Sequence, residues 1–427
     1  MRAADQLRVA GAALRALRSQ WWPAERIRAF QERALTDLMR HAVTHVPYYQ
    51  RLGIAADELR SSADLQRFPL LDKRAIQRDP EAFLARDVDR QKLYCSRTSG
   101  SSGQPTTTWF DADAWLLTRF ALKMRRIAAT GGLPLLRRVL IISEQREEDL
   151  AASAAGAPSG LGVLFRTLRL SIHTPVAEHL EAIRRYRPHL VYAYPSYLLD
   201  LIEEAAARAV ALPPVRALYT SSEVLTPAAR ARIEAAWQTR VFDVYGSTEF
   251  KEVAWQCAAG RYHLNFESTF IEPPAGGEAG PVLLTTLCNR AMPLLRFDIG
   301  DQAHFAPPGR CDCGRESPQL LAFTGREGDM LVLPGGRRVT PYVLTTAIES
   351  EPSILQYRIV QTASDALRID VVTATPGSSA RWAPAVGQSL RQLLDGQVAV
   401  SVREVERLER DPSGKRSVFK RLAAAHG

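Results

Sequence analysis

Between Ser96 and Phe110 the chain reads SRTSGSSGQPTTTWF, with hydroxyls at Ser96, Thr98, Ser99, Ser101 and Ser102 and glycines at Gly100 and Gly103. Small hydroxyl residues alternating with glycine let backbone N–H groups and O–H donors surround phosphate oxygens. The stretch lacks a Gly-Lys-Ser/Thr ending, so any positive charge on a phosphate must come from elsewhere in the chain. Further on, VYGSTEF follows a run with strand character and carries Val244, Tyr245, Gly246, Ser247 and the hydroxyl of Thr248. The same segment puts the Glu249 carboxylate where the chain leaves its sheet. Parallel α/β folds bind ligands at that end of their strands. LLRFDIGD ends in Asp301, a carboxylate suited to two neighbouring hydroxyls, and GREGD offers Arg326. Near the end, DPSGKRSVFKR presents Lys415 on a glycine-preceded loop, in a chain with only six lysines.

Thiols and imidazole make a second constellation. Cys257 and His263 form one local pair, and Cys311 and Cys313 form another. Two such pairs supply the four ligands of a tetrahedral Zn²⁺ site, and a full protein set leaves no open position, so the metal expected is structural. Cys95 and Cys288 are left over and are expected to be ordinary core residues. His173, His179, His189 and His304 have no paired spacing and are expected at the surface or as hydrogen-bonded core residues. Arg184–Tyr186 and Lys123–Arg126 are expected to be solvated helix faces.

The elements that must position these groups can be read from hydrophobic period. Leu35, Leu38, Met39, Ala42 and Val46 fall on one face of a helix. From Arg137 onward, strand candidates RRVLIIS, RPHLVYAYP, VRALYTSSE and TRVFDVYG alternate with amphipathic helices VAEHLEAIRRY, YLLDLIEEAAARA and PAARARIEAAW. Such alternation predicts an α/β architecture with a substantial parallel sheet covered on both faces. GPVLLTT and PLLRFDIGD predict a smaller β-rich subdomain. After FTGREGDMLVL a compact α+β unit runs to the end.

The five elements, in this order, resemble the AMP-forming ligase superfamily and especially its phenylacetate-CoA ligase-like branch, which includes capsule-biosynthesis adenylating proteins. RHAVTHVPYYQRLG, LQRFPLLDKRAIQ and YPSYLLDLIEE fit the same branch, so the resemblance covers nearly the whole chain. It implies a large N-terminal adenylation domain over 1–327 and a small mobile C-terminal domain over 328–427. It also implies ATP-dependent activation of a carboxylic acid to acyl-AMP with release of pyrophosphate, then transfer to the thiol of coenzyme A. A carrier-protein thiol, an amine or a hydroxyl is the alternative acceptor. By the same resemblance Ser99, Gly100, Ser101, Ser102 and Gly103 hold the β and γ phosphates and Glu249 holds Mg²⁺. Tyr245 lies against adenine, Asp301 takes the ribose hydroxyls with help from Arg326, and Glu223 joins the nucleotide site. Tyr194, Ser196, Ser222 and Val244 lie near the acyl pocket, where aromatic neighbours suit an aryl or short alkyl acid. Lys415 reaches across from the small domain. Where relatives often carry a charged hinge residue two positions after the motif arginine, this chain has Gly328, with Asp329 next.

Composition narrows the partners. The 427 residues carry 55 Lys and Arg against 46 Asp and Glu, a formal charge of +9, which keeps polyanions in view. A basic nucleic-acid-binding or assembly protein on the same fold is the rival reading, but no arginine–aromatic interleaving of the kind that binds single strands stands out. No apolar run approaches the roughly 20 residues of a membrane span. Five cysteines in so long a chain favour free thiols over a disulfide framework, and a soluble cytoplasmic protein is the expectation. The arginine-bearing N-terminus reads as an amphipathic surface helix.

Overall fold

The computed structural model describes residues 3–97, 106–132, 137–144, 165–274, 276–326, 329–411 and 414–421. Strands are β1 (Tyr94–Arg97), β2 (Thr107–Phe110), β3 (Arg137–Ser143), β4 (Phe165–Ser171), β5 (Leu190–Ala193), β6 (Ala217–Thr220) and β7 (Val241–Ser247). They continue as β8 (Lys251–Gln256), β9 (Tyr262–Leu264), β10 (Thr269–Ile271), β11 (Ala279–Thr286), β12 (Phe297–Phe305) and β13 (Gln319–Arg326). β3 to β13 form one sheet in the order β10-β11-β12-β13-β9-β8-β7-β6-β5-β3-β4.

The short β5 and β6 runs are almost wholly apolar, as strands buried on both faces must be. β4, β3, β5, β6 and the first half of β7 pair in parallel. Alternation then divides each strand between two layers. Leu140, Ile142, Val191, Ala193 and Leu218 meet helices Val176–Tyr186, Pro195–Ala207 and Pro227–Trp237 on one face. Leu190, Ala217, Tyr219 and Phe242 face the other way, against the helical stretch Ala112–Thr130, which contains a π turn at Leu117–Ala121. The second half of β7 pairs antiparallel with β8 and leads into the β-rich half of the sheet. Helix Ala24–His45 packs Leu35, Leu38, Met39 and Ala42 on that half, each 0–1% exposed, as its period predicts. Helix Ala3–Ser19 buries Val9, Ala12, Ala13 and Ala16 and leaves its arginine-bearing face outside.

The last hundred residues have their own core. β14 (Ile354–Ala363), β15 (Ala366–Thr373), β16 (Ala399–Glu404) and β17 (Phe419–Arg421) form a sheet in the order β16-β15-β14-β17. Helices Tyr342–Glu349 and Ser379–Leu393 cover it, with Leu344, Ile348, Ile359, Ile369 and Leu390 fully buried. No described helix is long and apolar enough to cross a membrane.

Two sequence expectations are overturned. Arg125 and Arg126 are not solvated: they are 1% and 4% exposed, and each meets a carboxylate from the β-rich half. Arg125 bonds Glu267, while the Arg126 Nε donates to both Glu252 oxygens at 3.1 Å. The helix here is covered on two sides, so a charged run was buried by pairing across more than a hundred residues. Cys95 is exposed, because β1 is the outer member of a two-stranded sheet apart from the main one, and the buried side chains of that pair, Thr108 and Phe110, come from β2.

Candidate active site

Parallel strands end together, so the loops after β5, β6 and β7 converge. Tyr194 follows β5 and is buried, and Ser196 starts the next helix. Ser222 follows β6 with φ +70, a left-handed turn that sends Glu223 back toward that helix. The Glu223 carboxylate accepts the Ser196 N–H and Oγ–H, each at 3.0 Å. Val244 is buried near the end of β7. At Gly246 a Cβ would stand 2.1 Å from the Lys251 carbonyl oxygen, so only glycine allows the tight β7–β8 turn that carries Thr248 and Glu249.

The β-rich half supplies the other wall. The Tyr245 hydroxyl donates to Asp301 Oδ2 at 2.7 Å, and its ring stacks on Phe323 at 4.0 Å between centroids. Arg326 Nε donates to Asp301 Oδ1 at 3.0 Å, as cross-strand partners in β12 and β13. Burial, then the Asp301 charge, hold the Tyr245 phenol well above its ordinary value, so it remains an O–H donor. Asp301 does not end its strand: β12 runs through it to Phe305.

Lys415 arrives from the small unit. Gly414 has φ +77, and a Cβ there would lie 2.2 Å from Ile172 Cγ2 just beyond β4. The Lys415 Nζ sits 5.9 Å from the centre of the Tyr194 ring. The next residue, Arg416, donates its backbone N–H to Glu223 Oε1 at 2.8 Å and its guanidinium to Asp200 at 2.8 and 3.0 Å. Arg410 bonds Ser196 Oγ at 3.0 Å and also pairs with Asp200. Burial first, against these hydrogen bonds, raises the Glu223 carboxyl above its usual range.

The structure thus gathers Tyr194, Ser196, Ser222, Glu223 and Lys415 at one set of strand ends, and links Tyr245, Asp301 and Arg326 beside them. Ser99, Gly100, Ser101, Ser102 and Gly103 lie outside the described residues, as does Gly328. Sequence reasoning missed Asp200, Arg410 and Arg416, whose pairing spans up to 216 residues. It also missed Lys251, which binds Ser96 Oγ and lies 4.9 Å and 5.3 Å from the rings of Phe110 and Trp115. Burial, then Arg119, push its ammonium down to about 7.

Away from these strand ends, Cys257, His263, Cys311 and Cys313 place their ligand atoms within 4.8 Å of one another. Cys257 and Cys311 sulfurs are 3.8 Å apart, and Cys313 Sγ is 3.2 Å from His263 Nε2. Such separations match ligand-to-ligand edges around a tetrahedral ion with bonds of about 2.0–2.3 Å. Ser317 Oγ lies 2.9 Å from His263 Nδ1, which leaves Nε2 to face the sulfurs. Burial pushes the imidazole down to about 3, keeping it neutral, the form that binds metal.

The chain is 28% identical to phenylacetate-coenzyme A ligase of Aromatoleum evansii over 334 residues, 73% of each chain. It is 28% identical to phenylacetate-coenzyme A ligase of Thermus thermophilus over 359 residues, 79% of each. Among solved structures, 2-hydroxyisobutyryl-CoA ligase in the postadenylation state with 2-HIB-AMP superimposes with a TM-score of 0.78 at 20% identity, covering 96% of this chain and 92% of that one. The same ligase in its thioesterification state, with 2-HIB-AMP and CoA, gives 0.63 at 21% identity over 95% and 92%. No protein-family model matches the chain. The chain thus shares the fold of 2-hydroxyisobutyryl-CoA ligase, and in sequence it is similar to the phenylacetate-coenzyme A ligases.

Proposed function

We propose that the protein is an ATP-dependent acid–CoA ligase. A carboxylate oxygen attacks the α-phosphorus of ATP, the bond to the β-phosphate oxygen breaks, and pyrophosphate leaves. The coenzyme A thiolate then attacks the acyl carbon and AMP departs. A free carboxylate needs this activation, since oxide is a poor leaving group and its charge repels nucleophiles.

The observation that carries the reading is Lys415, clasped over Tyr194 by the Arg416–Glu223 and Arg416–Asp200 bonds. A fixed ammonium at the strand ends stabilises the negative charge that spreads over carboxylate and phosphoryl oxygens in the transition state. Tyr245, Asp301 and Arg326 form the nucleotide wall, with Asp301 taking the ribose hydroxyls. Glu249 is buried beside the strand ends and would hold Mg²⁺, which when bound neutralises phosphate charge. The closer match to the postadenylation state than to the thioesterification state supports assigning the present arrangement of the two units to the first half-reaction. On this reading residues 1–327 and 328–427 are the two domains, with the segment about Gly328 and Asp329 as the hinge.

We further infer that Cys257, His263, Cys311 and Cys313 hold a structural Zn²⁺. Two of the thiols, Cys257 and Cys311, are pushed upward by burial, so a divalent cation is what would keep them ionised. Four protein ligands leave it no catalytic role. The experiment for the function is acyl-CoA formation by mass spectrometry with a panel of acids plus ATP, Mg²⁺ and CoA. Acyl-AMP that accumulates despite CoA, and is consumed by an amine or carrier thiol, contradicts the second half of the reading.

A further inference from the structure

Paired residues of adjacent strands share a face of the sheet. Arg169 pairs with Ile141, Ile141 with Tyr192, and Tyr192 with Tyr219, so one row runs from β4 across to β6. The guanidinium of Arg126 lies 4.3 Å from the centre of the Tyr219 ring and 5.9 Å from that of Tyr192, which puts the helical stretch Ala112–Thr130 on this row. Lys123 stands three positions before Arg126, on the same helix face, and Arg119, in the π turn one turn earlier, is near enough to oppose the charges of Lys123 and Arg169. The helix also has a direction. Its end, Gly131, approaches Leu190 and Ala217 at the starts of β5 and β6, so Lys123 and Arg119 lie toward the opposite, ligand-binding ends.

Four cations therefore meet here. Arg126 is matched by Glu252. Arg119, Lys123 and Arg169 have no described carboxylate within ion-pair distance. Burial, then the neighbouring Arg119, hold the Lys123 ammonium well below its ordinary value, and Arg119 likewise opposes the charge of Arg169 and of Lys251 beyond it. Glu249 is the carboxylate that favours the Lys251 charge. Among the described residues Glu252 is the carboxylate that favours the Lys123 charge, and it is already bonded to Arg126. Partly desolvated like charges that share so little counter-charge are costly, and a bound anion is what relieves them. From this row the Tyr192 hydroxyl bonds Ser221 Oγ at 2.5 Å, next to Ser222 and Glu223.

We propose that Arg119, Lys123 and Arg169 bind a second anionic group, a carboxylate or phosphate, at the end of the acid substrate remote from its reacting carboxyl. The inference rests on the ligase reading and sharpens it: the acid is a dianion, not the simple aryl or alkyl acid that neighbouring aromatic residues alone suggest. An anion here has two other sources, the phosphates of ATP and those of coenzyme A, and kinetics separates all three.

The test is acid-dependent pyrophosphate release with matched pairs, butyrate against glutarate and phenylacetate against homophthalate, by wild type, Lys123→Met and Arg169→Met. Wild type should favour the dianion of at least one pair. Each variant should raise KM for that dianion about tenfold or more, the worth of one charged hydrogen bond, with KM for ATP and coenzyme A unchanged. Equal use of mono- and dianion by wild type overturns the proposal. So does a raised KM for ATP or coenzyme A in place of the acid. A variant that loses thermal stability with selectivity intact shows that the chain's own carboxylates neutralise the cluster, and also overturns it. A wild type silent with every acid defeats the ligase reading itself.

Discussion

The backbone N–H of Arg416 donates to the Glu223 carboxylate at 2.8 Å, tying the residue after Lys415 to the loop after β6. The bond uses backbone on one side, so it fixes where the lysine loop sits whatever its side chains do. The side-chain half of the clasp is Asp200, which meets both Arg410 and Arg416 and is 13% exposed at its side chain.

Asp200→Asn should therefore loosen the docked arrangement. Removing one partner of a buried charge pair costs about 3–5 kcal/mol, part of which falls on the docked state alone. In single-turnover assays, acyl-AMP formation should slow about tenfold or more, while thioester formation from supplied acyl-AMP should change little. Equal slowing of both half-reactions would contradict this role.

Asp301→Asn removes the charge and replaces one of the two oxygens that accept from Tyr245 and Arg326 with an NH2 donor. KM for ATP should rise about tenfold, with KM for coenzyme A unaltered, as expected for lost charge-assisted hydrogen bonds to a ribose. A larger effect on coenzyme A would move Asp301 out of the nucleotide wall.

Lys251 supplies a pH test. Its folded value, about 7, is below the ordinary lysine value, so the unfolded chain binds the extra proton between those two points. Stability must rise with pH across that window, and the cost of the buried charge is greatest below pH 7. Lys251→Met should raise Tm more at pH 6 than at pH 9, relative to wild type. The opposite ordering would mean that the ammonium is paired, not strained.

Metal analysis should find about one zinc per chain. Cys311→Ser should lower zinc content and Tm together, and leave the KM values for acid and ATP near wild type where the variant stays folded. Much less than one equivalent in protein purified without chelator, with full stability, would dismiss the metal.

Much of the architecture was legible because periodicity reports burial. The runs over β3, β5, β6 and β7 and the intervening helices stand where alternation puts them, and CDCG and the Cys257–His263 pair do converge. What sequence could not show was pairing across the chain. Arg125 and Arg126 look like a solvated face until Glu267 and Glu252 are brought to them. Asp200 sits within a helix whose period marks it as outward, and only the docked small unit makes it a clasp. Lys251 and Arg169 carry no motif at all. Their meaning comes from the strands and rings around them, and for Arg169 from a register no local pattern encodes.

The most direct test of the central claim is carboxylate-dependent exchange of labelled pyrophosphate into ATP, by wild type and by Lys415→Ala. Wild type should exchange with at least one acid of a panel that includes dianions. The variant should lose about a hundredfold or more at unchanged Tm, the scale of removing one transition-state charge stabiliser. Exchange with no acid, or exchange that Lys415→Ala leaves intact, would contradict that claim.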